Sequence, residues 1–368
     1  MFLKTRYKYG IIINKLITFY YGETMALFNP SRERKWFINT AKNSYKYYRS
    51  KLSSVDKQNY DIIFDAILYF KPIAKGLRCS TDKMMKLIHY VLRDNPVFYY
   101  TNSKFQYSKS GFSLNVQFDF DMMEFSVYKK ATAIIKRLDE YKSVCEGKSN
   151  LEIIKYVHDN VIKDVEYSFN TENPYQAYSV FTEGKAVCEG IAEATKLILD
   201  YLGVKCIIAT GKSKHPGTTS DVNHAWNVVD VGGGEFYHLD VTFDDGISQG
   251  TGTILQNYFL LTNAQIMETH VLDEKFPEVS ETKRDVFTMQ GQYFTSLFDF
   301  EQSISRQIAM REKSLYYQLA TGRDHKKEIE KSMTIIENVL RRQNVGVRYK
   351  AFYDKLKCVV YVSLDYHY

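Results

Sequence analysis

Apolar side chains recur at helical spacing along the first part of the chain. Aromatic and aliphatic residues return every three or four positions within 31–70, 81–92 and 121–142, and this period predicts helices. Between the last two segments, alternating residues flank Ser110-Gly111 and predict a β-hairpin. We therefore expect residues 1–148 to form a helical N-terminal region that contains one hairpin.

The pattern changes after residue 148 to helices followed by strands. Ser149 or Asn150 is a candidate cap for one helix, and a second, strongly apolar helix begins at Cys188 and ends near Gly203. Short apolar runs then predict strands at residues 204–210, 225–230, 235–241 and 258–261. Three glycines form the predicted hairpin turn between the second and the third of these strands. This order is typical of an α+β fold and assigns a second domain to residues 149–280.

Residues 281–368 form a third predicted region. Its pattern is helical over residues 301–340 and predicts a closing hairpin from 345–352 and 355–363. The first region also contains a helix followed by a hairpin, so the central domain is expected to lie between two helix-plus-hairpin regions. Short helix ends can also resemble each other by chance.

The cysteines indicate reduced thiols. Five of them are spread over 368 residues with no CxxC pair and no metal-ligand spacing, so we expect no disulfide framework, no metal and no cofactor. Asp244-Asp245 lacks the surrounding loop of oxygen ligands that a calcium site needs. The apolar run within Met1–Met25 is short and interrupted by Lys15, and Met25 is a candidate alternative start. These features favour the cytoplasm, while a cell-surface or secreted location stays open.

Positive charge is concentrated near the N-terminus. Residues 1–60 contain 12 Lys and Arg against 3 Asp and Glu, in a chain whose net charge is +6. Such an arm can contact a membrane surface or another anionic polymer, although a solvated helical face explains it equally well. No zinc-finger, basic-zipper or RNA-binding signature accompanies the charge, so no nucleic-acid partner is expected.

Three residues have the types and order that thiol chemistry needs. A cysteine is a useful nucleophile near neutral pH when a helix N-terminus and an imidazole stabilise its thiolate. A carboxylate can in turn hold that imidazole in the productive orientation. The chain supplies Cys188 at the start of a predicted helix, His224 at the start of a later strand and Asp240 in the next strand. These three residues are the predicted catalytic group.

The segments around these residues resemble those of bacterial transglutaminase-like proteins. The resemblance covers residues 150–280 and rests on three motifs in order: Gly184-Lys185-Ala186-Val187-Cys188-Glu189-Gly190, His224-Ala225-Trp226-Asn227 and Tyr237-His238-Leu239-Asp240-Val241-Thr242-Phe243-Asp244-Asp245. The segment Asn257-Tyr258-Phe259-Leu260-Leu261 follows them. Ile191 departs from the pattern, because an aromatic residue usually follows the glycine in this family. That difference changes the pocket but removes no catalytic group.

The resemblance implies a papain-like α+β core and an acyl-transfer enzyme. It assigns Cys188 as the nucleophile, His224 as general base and then general acid, and Asp240 as the residue that orients the imidazole. It also implies that Tyr178 lies near the site and helps to bind the oxyanion. Trp226 is either a pocket residue or part of the core. The expected substrate is a glutamine carboxamide or a peptide amide of a protein or peptide.

Two residues compete with this assignment. Cys145 stands in a second copy of the sequence Val-Cys-Glu-Gly, but no apolar helix follows it, so it is expected outside the site. His238 lies two residues before Asp240 and would share its face on a strand. His224 is preferred because of its Ala-Trp context, and His238 is expected to be structural.

The reaction outcome stays open at this stage. An acyl-enzyme formed on Cys188 can pass its acyl group to an amine, as a transglutaminase does, or to water, as a deamidase or cysteine peptidase does. A non-catalytic binding or scaffold protein that keeps the domain is the remaining alternative.

Overall fold

The computed structural model describes residues 31–367 except 215–220, 278–279 and 281. The first 30 residues, with the proposed alternative start and half of the predicted basic arm, lie outside the described residues. Among the helices that are described, none is long and apolar enough to cross a membrane.

The described residues form the following helices and strands. The helices are α1 (Ser31–Asn43), α2 (Tyr47–Ser50), α3 (Ser54–Leu68), α4 (Thr81–Asp94), α5 (Glu124–Cys145), α6 (Asn150–Asp164), α7 (Ala177–Glu183), α8 (Cys188–Tyr201), α9 (Val241–Ser248), α10 (Asn263–Ile266), α11 (Val286–Met289), α12 (Leu297–Ala309) and α13 (His325–Arg342). The strands are β1 (Ile73–Leu77), β2 (Thr101–Ser110), β3 (Ser113–Phe120), β4 (Glu166–Tyr167), β5 (Lys185–Ala186), β6 (Cys206–Ser213), β7 (Val222–Asp230), β8 (Phe236–Leu239), β9 (Phe259–Leu261), β10 (His270–Leu272), β11 (Tyr293–Phe294), β12 (Ser314–Leu319), β13 (Val347–Asp354) and β14 (Val359–Tyr366). The α+β fold class is thereby confirmed.

Serine side chains cap the N-termini of several of these helices. Ser53, Ser80 and Ser149 each accept a hydrogen bond from a backbone N–H in the first turn of the helix that follows. The Glu152 carboxylate accepts a hydrogen bond from the Ser149 backbone N–H, which completes a capping box. The predicted hairpin of the N-terminal region forms from β2 and β3, and β1 pairs with the other side of β3.

The central sheet has five antiparallel strands in the order β10-β6-β7-β8-β9. Helix α8 packs against β6 and β7, so the sheet lies directly beside the helix that begins at Cys188. Gly211 on β6 pairs with His224 on β7 and with Leu272 on β10. A Cβ atom at Gly211 would lie 1.9 Å from the Val271 carbonyl oxygen, so only glycine lets β10 approach this closely.

Two predictions of secondary structure are wrong. The strand expected over 235–241 ends at Leu239, because the Asp240 side chain accepts a hydrogen bond from the Phe243 backbone N–H and begins α9. The continuous helix expected over 301–340 is interrupted by β12. The run Leu315-Tyr316-Tyr317 pairs with β14 in the centre of a four-stranded sheet, and this tertiary pairing overrides local helical spacing.

Buried apolar side chains form two large clusters. The first extends from Phe37 to Ile266 and the second from Phe294 to Leu364. Polar contacts connect the two clusters at Asn257, whose side-chain amide donates to the Asp354 carboxylate at 2.9 Å and whose backbone carbonyl accepts from Lys357 Nζ at 3.0 Å. The three-part division at 148 and 280 stays a prediction.

Candidate active site

Cys188 is the first residue of α8, and the chain before it explains that position. Strand β5 pairs in parallel with β4, and the Val187 backbone N–H then donates to the Pro174 carbonyl oxygen at 3.0 Å. Val187 is extended, and helical geometry begins with the next residue. The thiol, which is partly exposed, therefore lies at the end of the helix where unpaired N–H groups point outward and favour negative charge.

His224 and Asp240 lie together beneath Cys188. Both side chains are buried, and the His224 Nε2 atom is 2.7 Å from Asp240 Oδ2. His224 and Cys188 line the same cavity, and the Cys188 side chain lies close enough to raise the pKa of the imidazole. Because Nε2 faces the carboxylate, Nδ1 is the ring nitrogen available to the thiol. The structure thus brings together the three side chains that the sequence selected.

Charge interactions change the pKa values of His224 and Asp240 more than burial does. Burial alone would lower the pKa of His224, but the Asp240 carboxylate and its contact with Cys188 raise the pKa of His224 to about 10. Burial would likewise raise the pKa of Asp240, but hydrogen bonds and the charge of His224 hold the pKa of that carboxyl well below its usual range. An ionised Asp240 and a positively charged imidazole are therefore favoured across the neutral range.

A second imidazole, which the sequence analysis missed, contacts the same carboxylate. His270 Nε2 lies 3.0 Å from Asp240 Oδ2, and His270 Nδ1 lies 2.8 Å from the Thr269 hydroxyl oxygen. Burial lowers the pKa of His270, although Asp240 opposes the change. No motif or spacing in the chain relates His270 to Asp240, because edge strand β10 brings it there from 30 residues downstream.

His224, Asp240 and His270 are also the types of residue that bind metals, and their ligand atoms lie within 4.8 Å of one another. The two nitrogens are 2.7 and 3.0 Å from one carboxylate oxygen. These separations are shorter than the roughly 3.3 Å between ligand atoms around a tetrahedral zinc ion. Ordinary hydrogen bonds account for the distances, so the arrangement does not fit a metal centre.

A cavity of about 640 Å³ opens onto Cys188 and His224. One wall is aromatic and consists of the exposed rings of Tyr167, Phe169 and Tyr175. The rest of the lining includes several polar and charged residues: His89, Arg93, Asn95, Thr101, Gln176, Glu189, Glu193, Thr210, Asn223 and Asp273. A substrate that reaches Cys188 therefore meets an aromatic surface and a mixed polar surface.

Tyr167 lies beside the nucleophile, although the sequence analysis did not select it. Its side chain interacts with both the backbone and the side chain of Cys188. Burial, followed by the negative charge of Cys188, raises the pKa of Tyr167 to about 12, so the hydroxyl keeps its proton at neutral pH. The parallel pairing of β4 with β5 brings these residues together.

Two carboxyl groups on α8 face the same cavity. The Glu189 side chain is open to the cavity even though protein surrounds most of it, and burial raises its pKa while Arg93 opposes the shift. One turn further along, Glu193 accepts a hydrogen bond from the Ala177 backbone N–H at 2.9 Å. Burial and the nearby Glu189 raise the pKa of Glu193 well above its usual range. The cavity lining therefore contains an acid whose pKa is raised by burial and by a neighbouring carboxylate.

Tyr178 and Trp226, the two predicted pocket residues, are buried outside the cavity lining. The ring of Tyr178 packs 5.6 Å from Tyr99, with Lys130 Nζ 4.1 Å from its centre. Trp226 stacks on His224 with 5.8 Å between ring centres. Tyr178 does not line the cavity at Cys188, because α7 packs against α5 and the Tyr178 ring lies under Lys130. Tyr167 lies beside Cys188 in its place.

His238, the competing imidazole, supports Trp226. It accepts a hydrogen bond from the Trp226 indole N–H at 3.0 Å, and its other nitrogen lies 2.8 Å from the Asn263 side-chain oxygen. Burial lowers the pKa of His238 to about 4, so the ring is neutral near pH 7. Asp244, the carboxylate considered for a cation, is instead hydrogen-bonded to His158 and to the Tyr258 backbone N–H.

The helix-borne cysteine, with its imidazole and carboxylate on an antiparallel sheet, defines a papain-like α+β arrangement. Residues 139–241 match the model of the Transglutaminase-like superfamily, and this range contains Cys188, His224 and Asp240. Residues 139–241 are therefore a transglutaminase-like domain, as the resemblance implied.

Solved structures that are similar to parts of this chain include the following two. The crystal structure of a TGase is 14% identical with a TM-score of 0.29, and the match covers 43% of this chain and 47% of that chain. A putative cysteine protease from Cytophaga hutchinsonii is 11% identical with a TM-score of 0.27, over 50% of this chain and 80% of that chain. The chain thus spans about half the length of the TGase. No curated protein matches the sequence.

Proposed function

We propose that this protein catalyses thiol-dependent acyl transfer on glutamine side chains or peptide amides, with Cys188 as the nucleophile. The observation that carries the proposal is the group of Cys188, His224 and Asp240 at the wall of an open cavity, in which His224 is hydrogen-bonded to Asp240 and adjoins Cys188. A cysteine paired with a buried, charged imidazole is chemically costly to keep unless the pair is used. The match of residues 139–241 to the Transglutaminase-like superfamily supports the same chemistry.

The first half of the reaction forms a thioester. The Cys188 sulfur attacks the amide carbonyl carbon, a C–S bond forms, and the carbonyl oxygen becomes an oxyanion. The Cys188 backbone N–H and the Tyr167 hydroxyl are the donors proposed to bind that oxyanion, since both lie at the sulfur. His224 then gives its proton to the leaving nitrogen as the C–N bond breaks, and ammonia or an amine departs.

The second half regenerates the thiolate. An amine or water attacks the thioester carbonyl and gives a proton to His224, and the C–S bond breaks to release an amide or an acid. Asp240 stays ionised throughout and stabilises the imidazolium before attack and after release. The acceptor decides whether the protein is a transglutaminase, a deamidase or a peptidase.

One assay distinguishes these outcomes. The purified protein is incubated with dimethylcasein, with and without a biotinylated primary amine, and biotin incorporation, ammonia release and new peptide termini are measured. Amine incorporation identifies a transglutaminase, ammonia without incorporation a deamidase, and new termini a peptidase. All three signals should vanish in Cys188→Ala, whereas Cys206→Ala, which changes a buried strand cysteine, should keep them. A Cys188→Ala protein with undiminished turnover would refute the proposal.

A further inference from the structure

The Asp240 carboxylate is held by three donors from three different elements. His224 on β7 and His270 on β10 both point Nε2 at Oδ2, at 2.7 and 3.0 Å. The Phe243 backbone N–H on α9 donates to Oδ1 at 3.0 Å. Only the first of these donors belongs to the proposed catalytic group, so the second imidazole needs its own explanation.

The His270 ring is fixed in orientation. Its centre lies 4.9 Å from the Trp226 ring and 4.9 Å from the Phe243 ring, and its Nδ1 is occupied by the Thr269 hydroxyl. The side chain is fully buried. A packed ring with both nitrogens bonded can present Nε2 in one direction only, which is toward Asp240.

His270 is the neutral member of the pair of imidazoles. The charged groups around it are Asp240, which favours its protonated form, and His224 and Lys357, which oppose it. Burial and these two cations lower the pKa of His270, while the pKa of His224 is raised. Neutral His270 then donates Nε2–H to Asp240 and accepts the Thr269 hydroxyl proton at Nδ1.

We propose that His270 is a positioning residue, whose Nε2–H fixes the Asp240 carboxylate so that Oδ2 faces His224 and His224 faces Cys188. This inference rests on the proposed function of those three residues. With His270 present, two imidazoles hold Oδ2 from two strands while the Phe243 N–H holds Oδ1. Loss of His270 leaves Oδ2 with His224 alone among these donors, and the carboxylate can then turn about its remaining bond at Oδ1. Rotation of Asp240 would release the imidazole from the orientation in which it pairs with the thiol.

The test replaces His270 by Phe, which keeps a buried ring without a donor, and by Gln, whose amide N–H can reach the carboxylate. The rate at which iodoacetamide alkylates Cys188 is measured from pH 5 to pH 8 by peptide mass spectrometry, together with the melting temperature. At pH 6 we expect alkylation of His270→Phe to be about ten- to a hundredfold slower than in the wild type, the range for one hydrogen bond to a charged group. His270→Gln should regain most of the rate.

The control is Tyr317→Phe, which removes a buried hydrogen bond to Ser332 in the second apolar cluster and should lower stability without changing the alkylation rate. Equal rates in the wild type and His270→Phe, or a His270→Gln protein as slow as His270→Phe, would overturn the role of His270. A wild type in which Cys188 is no more reactive than Cys145 would instead overturn the proposed function. The two failures are therefore separate.

Discussion

The tetrapeptide Val-Cys-Glu-Gly occurs twice in the chain, at residues 144–147 and 187–190, in opposite settings. Cys145 is the last residue of α5, and Cys188 is the first residue of α8. The C-terminal end of a helix disfavours negative charge and the N-terminal end favours it. Burial raises the pKa of the Cys145 thiol, with Lys148 opposing, whereas Cys188 is partly exposed and faces His224.

The valine and the glycine of the tetrapeptide also have different surroundings in the two copies. Val144 is exposed and Val187 is buried. Gly147 is required by a positive φ of +77°, and a Cβ atom there would have no described atom within 4 Å, whereas a Cβ at Gly190 would lie 2.6 Å from the Pro174 carbonyl oxygen. Identical local sequences therefore gain different properties from the ends of the helices and from the elements that pack beside them.

The largest expected difference between the copies is in thiol reactivity. At pH 6, iodoacetamide should alkylate Cys188 at least about a hundredfold faster than Cys145, because only Cys188 of the two lies beside an imidazole at a helix N-terminus. The two rates are measured in one sample by mass spectrometry of the corresponding peptides. Cys188→Ala should abolish rapid labelling, and Cys145→Ala should leave it unchanged. Faster labelling of Cys145 would show that the wrong copy was selected.

The pH dependence of stability should differ between the two settings. The pKa of His224 is raised from 6.5 to about 10, so its contribution is complete below pH 6.5 and is lost as the pH rises toward 10. The depressed pKa of Asp240 adds stability above about pH 3.8 that is lost at lower pH. The contribution of the pair should therefore be largest between pH 3.8 and 6.5.

This dependence can be measured as the free energy of unfolding of the wild type minus that of His224→Gln. The difference should narrow by up to ~1.4 kcal/mol per pH unit above pH 6.5. The matched difference for Cys145→Ala should stay flat until about pH 9, since its thiol loses a proton only above that value. A His224 difference that is equally flat from pH 5 to pH 9 would contradict the charged imidazole.

The two glycines should respond differently to alanine. Gly190→Ala forces a methyl group against the Pro174 carbonyl oxygen and the Gln176 backbone N–H, at a cost of roughly 1–3 kcal/mol. Gly147→Ala meets only the strain of a positive φ, about 1 kcal/mol. Because Tyr175 and Gln176 line the cavity, Gly190→Ala should also slow Cys188 alkylation. Chemical denaturation and labelling of both variants check this, and equal effects would contradict the close approach.

The smallest expected difference concerns the two glutamates. Glu189→Gln removes a negative charge beside the thiol and should raise the Cys188 alkylation rate at pH 6 by about two- to fivefold, since a neighbouring like charge disfavours the thiolate. Glu146→Gln, at the exposed end of α5, should change neither that rate nor stability by more than about 0.5 kcal/mol. A slower Glu189→Gln protein would show that the carboxylate assists the reaction.

The sequence by itself determined the elements near the nucleophile and the order of the chemical groups. An apolar helix behind Cys188, a glycine turn at 232–234 and strands on either side of it follow from local periodicity and turn chemistry. The choice of Cys188 over Cys145 also followed from local sequence, since a run of apolar residues follows only one of the two copies.

Only the tertiary structure decided which distant groups meet at that helix end. Tyr167 reaches Cys188 through the pairing of β4 with β5, and His270 reaches Asp240 through edge strand β10. The Asp240 side chain ends a strand that was predicted to continue, because it caps α9. Strand pairing between segments far apart in the chain leaves no period or spacing in the sequence. Burial then shifts the pKa values of side chains, and the residue type alone does not indicate that shift.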